Sequence, residues 1–286
     1  MGSHTPVVKP YTSGPKKRLG QHFLRDTGVI DRIVRWIEPQ SRDLIIEIGA
    51  GKGALSLSLA SHVEKLVAVE VDVDCIQSLE TALGAFTSAS VVQADILKLD
   101  LHRLIAPLLT PGMRVRIAGN LPYNISTTII KRFLLCEQPV HDMTFMVQTE
   151  VAQRIAACPG SRQYGYLSIL CQHYSLVRLG FKVSPSCFVP RPKVSSSMIA
   201  LMPRENAENT SYSADFECLG KAAFSHRRKT LANSLAKHKS FSAIYNRLLQ
   251  EARIDGSRRA EDLSVGEFEL LARIFQKLKA DPKFVA

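Results

Sequence analysis

The sequence predicts an α/β protein in which a mostly parallel sheet is followed by a smaller, all-helical domain, and three features of its patterning carry that reading. A short apolar run over 44–48 ends in Gly49-Ala50-Gly51-Lys52-Gly53, then resumes as a helix with Leu55, Leu57, Leu59 and Ala60. Strand, glycine loop and helix in that order open a nucleotide-binding sheet. Further strand-like runs recur at 66–69, 89–93, 114–118, 141–147, 174–183 and 195–202, making seven strands with helical spacing between several of them. Beyond the polar stretch 203–213 only helical periodicity remains.

Taken in order, Asp26 is a good N-cap, and Ile30, Ile33, Val34 and Ile37 fall at helical spacing until Pro39 stops the helix. After the glycine loop, the second strand delivers Glu70 about twenty residues on, where an acid grips ribose hydroxyls. The third strand ends at Ala94-Asp95. An acid there either accepts from the amino group of a bound adenine or N-caps a following helix. The loop spacing is G-x-G-x-G rather than the dinucleotide pattern, and nothing later resembles a nicotinamide site, so a nucleoside cofactor without a pyrophosphate suits it better.

The fourth strand runs into Gly119-Asn120-Leu121-Pro122-Tyr123. An Asn amide can accept a hydrogen bond, Pro122 fixes the backbone, and the Tyr123 ring offers a stacking surface, which together suit an amino-bearing aromatic base. The competing reading is a plain strand-to-loop turn. Ser126 is placed to cap a helix over 127–135, and a fifth strand leads into a helix over 149–157. Phe188 sits on the proline-stiffened loop 187–193, either as a core plug or as an exposed stacking face. The C-terminal region reads as helices over 216–235, 241–252 and 265–278, the last opened by a Ser264/Glu267 capping box.

Of 286 residues, 45% are hydrophobic, and 37 Lys and Arg outweigh 26 Asp and Glu to give a net charge of +11. That balance points to a polyanionic partner, nucleic acid ahead of a membrane surface. The charge is clustered at Lys16, Lys17 and Arg18, and again at Arg227, Arg228 and Lys229. The six cysteines form no CxxC pair and the eight histidines no HExxH pattern, so neither a metal nor a disulfide framework is expected. A reduced, cytoplasmic setting fits, and no apolar run approaches a membrane span. Residues 1–15 read as a flexible extension.

Five ordered segments resemble the small-subunit ribosomal RNA adenine dimethyltransferases of the KsgA type. They are Leu19-Gly20-Gln21-His22-Phe23-Leu24, Glu47 through Gly53, Asn120 through Ser126, Phe188 through Val194, and Phe224 through Lys229. The resemblance implies a Rossmann-like seven-stranded class I methyltransferase sheet over 16–204 and a helical RNA-binding domain over 205–286. It implies a donor site for S-adenosyl-L-methionine at His22, Leu24, Gly49, Gly51, Glu70, Asp95 and Asn120, with His22 where many relatives have Asn. Asn120, Leu121, Tyr123 and Phe188 would handle the target adenine, the last two rings sandwiching it. The expected partner is small-subunit rRNA in an immature 30S-type particle, bound by a monomer. The rival readings are a large-subunit adenine methyltransferase of the macrolide-resistance type and a non-catalytic assembly or transcription factor on the same fold.

Overall fold

A computed structural model describes residues 19–136, 139–204 and 211–280. The strands are β1 (Phe23–Leu24), β2 (Asp43–Ile48), β3 (Lys65–Glu70), β4 (Ala89–Gln93), β5 (Arg114–Asn120), β6 (Val140–Gln148), β7 (Ser175–Val183), β8 (Phe188–Val189) and β9 (Ser196–Pro203). The helices are α1 (Thr27–Ile37), α2 (Ala54–Ala60), α3 (Val73–Leu83), α4 (Leu101–Ile105), α5 (Ser126–Leu134), α6 (Thr149–Ile155), α7 (Tyr166–Tyr174), α8 (Ser213–Phe224), α9 (Leu231–Ala236), α10 (Tyr245–Ala252) and α11 (Val265–Ala280).

Seven strands form one sheet in the order β4-β3-β2-β5-β6-β9-β7. From β4 to β6 every pairing is parallel, and β9 enters antiparallel between β6 and β7. The chain builds outward from β2 to β4, then returns to place β5 on the other side of β2. That reversal opens a crevice above the carboxyl ends of β2 and β5, the place where such sheets bind ligands.

Alternation within the buried strands sorts side chains to two layers. Leu44, Ile46 and Ile48 join the core formed with α5, α6 and α7, while Ile45 joins the core formed with α1, α2 and α3. A strand covered on both faces reads as a continuous apolar run, which is why 44–48 was legible. Asp26 caps α1 as expected, accepting from the Val29 amide at 3.0 Å. Ser264 and Glu267 exchange the two bonds of a capping box at the start of α11.

Several elements depart from expectation. The small antiparallel pair β1–β8 and the helices α3, α4 and α7 have no counterpart in the sequence reading. Ser126 is the first residue of α5 rather than its cap, and its hydroxyl reaches back to the Tyr123 carbonyl at 3.4 Å. The expected long helix over 216–235 is broken at residues 225–230, so that Arg227, Arg228 and Lys229 lie on a turn between α8 and α9.

Helices α8 to α11 enclose their own core around Phe216, Phe241, Phe268 and Phe275, and Tyr164 and Ile169 from before the polar stretch belong to it too. Polar contacts that fasten this core to the sheet portion include Lys131 with Glu217 at 2.7 Å, and the buried His173 with Glu269 at 2.8 Å. His173 also stacks on Phe216, with ring centroids 3.9 Å apart.

Candidate active site

A cleft of about 660 Å³ opens at the crevice between β2 and β5. Its floor is the glycine loop. Gly49, Gly51 and Gly53 all take positive φ, and a Cβ on Gly51 would come within 3.0 Å of the Phe23 ring, so only glycine lets the β1 strap close over the loop. At the top of β5, a Cβ on Gly119 would stand 2.4 Å from the Ile48 carbonyl oxygen. Glycine there allows β5 to close against β2 beside the next residue, Asn120.

Asn120 ends β5, and its Nδ2 donates to the His22 carbonyl at 2.9 Å. A carbonyl only accepts, so the amide nitrogen must face it. The Asn120 Oδ1 is thereby turned the other way as an acceptor. The Leu121 amide donates to the Met146 carbonyl at 3.1 Å, which fixes the peptide that follows. Tyr123 lines the cleft with its hydroxyl tied to Ser196 at 2.6 Å. Burial pushes that phenol above its ordinary pKa, the Ser196 bond acting in the opposite sense, so it stays neutral.

Glu70 ends β3 and is almost fully buried. Its Oε2 accepts from the Gly51 amide at 2.7 Å, and its Oε1 accepts from the amides of Val71 and Asp72, both at 2.8 Å. The carboxylate therefore holds the glycine loop in shape, and Oε2, which accepts one bond, keeps capacity for a further donor. Asp95 lines the cleft and accepts from the Leu97 amide at 3.0 Å, where the chain makes a turn rather than the helix the sequence suggested it would cap.

His22 donates from Nδ1 to the Pro190 carbonyl at 2.7 Å, because that carbonyl can only accept. Its ring lies against Tyr123 with centroids 5.3 Å apart. The Val189–Pro190 peptide is cis. Leu24 is buried against the cleft wall.

Phe188 corrects the expected two-ring clamp. It pairs with Leu24 through β1 and β8, is 2% exposed, and packs in the core with Leu24, Ile30 and Met198. In this structure it is the plug, and the rings facing the cleft are Tyr123, His22 and Phe23. The basic clusters fare unequally. Lys16, Lys17 and Arg18 lie outside the described residues, as does the 1–15 extension. All three of Arg227, Arg228 and Lys229 are exposed, and Arg227 pairs with Glu261, 2.9 Å away, and donates to the Arg162 carbonyl.

One cleft residue was not assigned a role from sequence. Glu47, in the middle of the apolar run of β2, is 2% exposed and lines the cleft, and its Oε2 meets no hydrogen-bond donor. Burial pushes its carboxyl up to about 8, with nearby Ser56 opposing and the Glu70 carboxylate adding to the rise. A charge-bearing residue inside a strand buried on both faces was the available signal. Among the described residues, no group of His, Cys, Asp or Glu is arranged to hold a metal, and no helix is long and apolar enough to cross a membrane.

The family profile described as Ribosomal RNA adenine dimethylase matches residues 13–277. A protein named Ribosomal RNA small subunit methyltransferase A from Alkaliphilus oremlandii is 40% identical over 277 residues, covering 95% of each chain. Its namesake from Chromohalobacter salexigens is 40% identical over 270 residues, covering 94% of each. Among solved structures, a dimethyladenosine transferase from Plasmodium falciparum superposes with a TM-score of 0.74 at 23% identity, covering 90% of this chain and 98% of its own. The 23S rRNA methyltransferase ErmE gives 0.65 at 23% identity, covering 89% and 99%. Those two likenesses bear on the fold, a Rossmann-like methyltransferase sheet with a helical C-terminal region. The profile match and the relatives at 40% identity extend over nearly the full length of the sequence, and on that ground the chain belongs to the ribosomal RNA adenine dimethylase family.

Proposed function

We propose that this protein transfers methyl groups from S-adenosyl-L-methionine to the exocyclic N6 amine of adenines in small-subunit rRNA, dimethylating two adjacent adenines near its 3′ end. It acts as a cytoplasmic monomer on an immature 30S-type particle. The observation that carries the reading is the Asn120 amide, whose nitrogen is held by the His22 carbonyl so that its oxygen is presented as an acceptor at the mouth of the cleft.

The cleft fits such a donor: it pairs an acid at a strand end with a glycine loop that a Cβ would obstruct, and it contains a buried carboxyl oxygen without a partner. Glu70 would accept from the ribose hydroxyls and Asp95 from the adenine amino group. When bound, the donor supplies a methyl already activated by its sulfonium, so the residues must work on the amine. Asn120 Oδ1 and the Leu121 carbonyl would accept the two amine hydrogens, drawing the nitrogen toward tetrahedral geometry and aiming its lone pair. Tyr123 would stack beneath the base, contributing about 1–3 kcal/mol without a sequence requirement. Holding nucleophile and methyl in line supplies much of the remaining rate. Because the base must be unstacked to enter, an RNA loop is a cheaper target than a duplex.

The direct test is incubation with labelled donor and purified small or large ribosomal subunits, followed by nucleoside analysis. Dimethyladenosine in the small subunit is expected. Label appearing in large subunits alone, or in neither, overturns the reading.

A further inference from the structure

The outermost strand, β7, and the helix α1 hold an aromatic and basic stack that the cleft does not use. The Arg178 guanidinium lies 4.0 Å over the Trp36 ring, Trp36 meets Phe181 edge-on at 6.1 Å, and the Arg32 guanidinium lies 3.8 Å over Phe181. Strand alternation alone would not align these groups. The register on β9 shifts between Leu179 and Lys182, and this bulge puts Phe181 on the same face of β7 as Arg178, although the two are an odd number of residues apart. Gly180 makes room, since a Cβ there would stand 2.9 Å from the Trp36 ring. On α1, Arg32, Arg35 and Trp36 share a face at i, i+3 and i+4.

Arg32, Arg35, Arg178 and Lys182 are all exposed. Neither Arg32 nor Arg178 has a carboxylate partner among the described residues. β7 contains no acid, and Asp31 on α1 is turned about 100° from Arg32 by the helix. A guanidinium stacked on a ring is desolvated on its flat face while its N–H donors stay directed outward at the edges. That is the pre-organised fork that matches phosphate. An ion-paired arginine would be neutralised; these are not.

We propose that the α1–β7 face is a second RNA-contact surface, which holds the sugar–phosphate backbone of the substrate RNA outside the target nucleotide through Arg32 and Arg178. It deepens the function proposed above and rests on that reading. Arg25, exposed at the cleft rim and immediately before α1, links the face to the mouth of the site. The backbone would run along α1 as the target base enters the cleft.

The test measures binding of protein-free small-subunit rRNA over a series of KCl concentrations. R32Q/R178Q is expected to lower the slope of log affinity against log salt by about 2, one for each phosphate that no longer meets a guanidinium. The control R42Q/R103Q removes the same charge elsewhere on the surface and is expected to leave the slope near wild type. Equal slopes for wild type and R32Q/R178Q, or an equal drop in the control, overturn the proposal. Calorimetric titration with S-adenosyl-L-methionine establishes that each variant is folded. A second measurement needs no variant: Trp36 is the only tryptophan in the chain, so its emission should change on addition of the RNA. Unchanged emission also overturns it. Methylation of small subunits by the wild-type protein is read separately, so the surface can fail while the proposed function stands.

Discussion

The two ends of the central sheet treat buried polar groups in opposite ways. At the amino end, Asp43 is fully buried and accepts from Arg114 at 2.7 Å, from Arg116 at 2.9 Å and from the Gln40 amide at 2.8 Å. Arg116, itself buried, also donates to Asp142 and to the carbonyls of Ile37 and Glu38. Burial works against its charge, but the Asp142 and Asp43 carboxylates outweigh it and hold the guanidinium above its ordinary pKa. At the carboxyl end, Asn120 presents an oxygen to the cleft and Glu47 keeps one with no donor at all. A buried polar atom left unmet costs free energy, and one that lines a cleft can be met by a ligand. The closed network serves stability, and the open one serves binding.

The largest effect should come from the closed end. Arg116→Met strips buried Asp43 and partly exposed Asp142 of their shared partner and should cost about 3–5 kcal/mol, read from urea unfolding. Donor affinity of the remaining folded protein should be unchanged. Next, Asn120→Ala should slow methyl transfer on the order of 10²–10³-fold, the cost of removing one transition-state hydrogen-bonding group, with donor titration close to wild type. If the Asn120 variant instead loses stability as the Arg116 variant does, while turnover persists, the division between the two ends is wrong.

A pH-dependent effect concerns Glu47. Its folded-state carboxyl is raised from 4.5 to about 8, so between those values the folded form holds a proton that the unfolded form has lost. Stability without donor should therefore fall as pH rises through that window, by up to about 1.4 kcal/mol per unit, and level off above it. Glu47→Gln keeps the shape and should abolish this slope in melts taken across pH. An unaltered slope would show that another group titrates there. The smallest change is Gly51→Ala. A left-handed conformation costs an alanine about 1–2 kcal/mol, and its methyl presses on Phe23. Donor affinity should drop roughly ten-fold, measured by calorimetry, while Gly266→Ala on the exposed start of α11, with nothing near its added Cβ, serves as the neutral comparison.

Legibility followed the same division. The parallel strands and the glycine loop could be read because each is a local pattern a few residues long, and that pattern also placed Glu70 and the Asn120 segment at strand ends. Phe188 could not be resolved: a plug and a stacking face look identical in sequence, and only its pairing to β1 buries it. Arg227 read as one member of a basic cluster, and only the break after α8 set it against Glu261. Helices α3, α4 and α7 went unread, and α7 in particular lacks a polar face, because it is covered on several sides at once.

The sequence by itself determined the strand and helix runs, the switch from a sheet to helices, the basic balance and the family segments, since these depend on periodicity and composition along the chain. Tertiary structure alone decided which polar atoms remain unmet. The Asn120 oxygen is aimed by a carbonyl 98 residues away, and Arg178 is stacked on a tryptophan from another layer while a bulge in β7 brings Phe181 to the same face. Whether a buried or stacked group is satisfied depends on neighbours that folding brings together, and spacing along one chain does not record them.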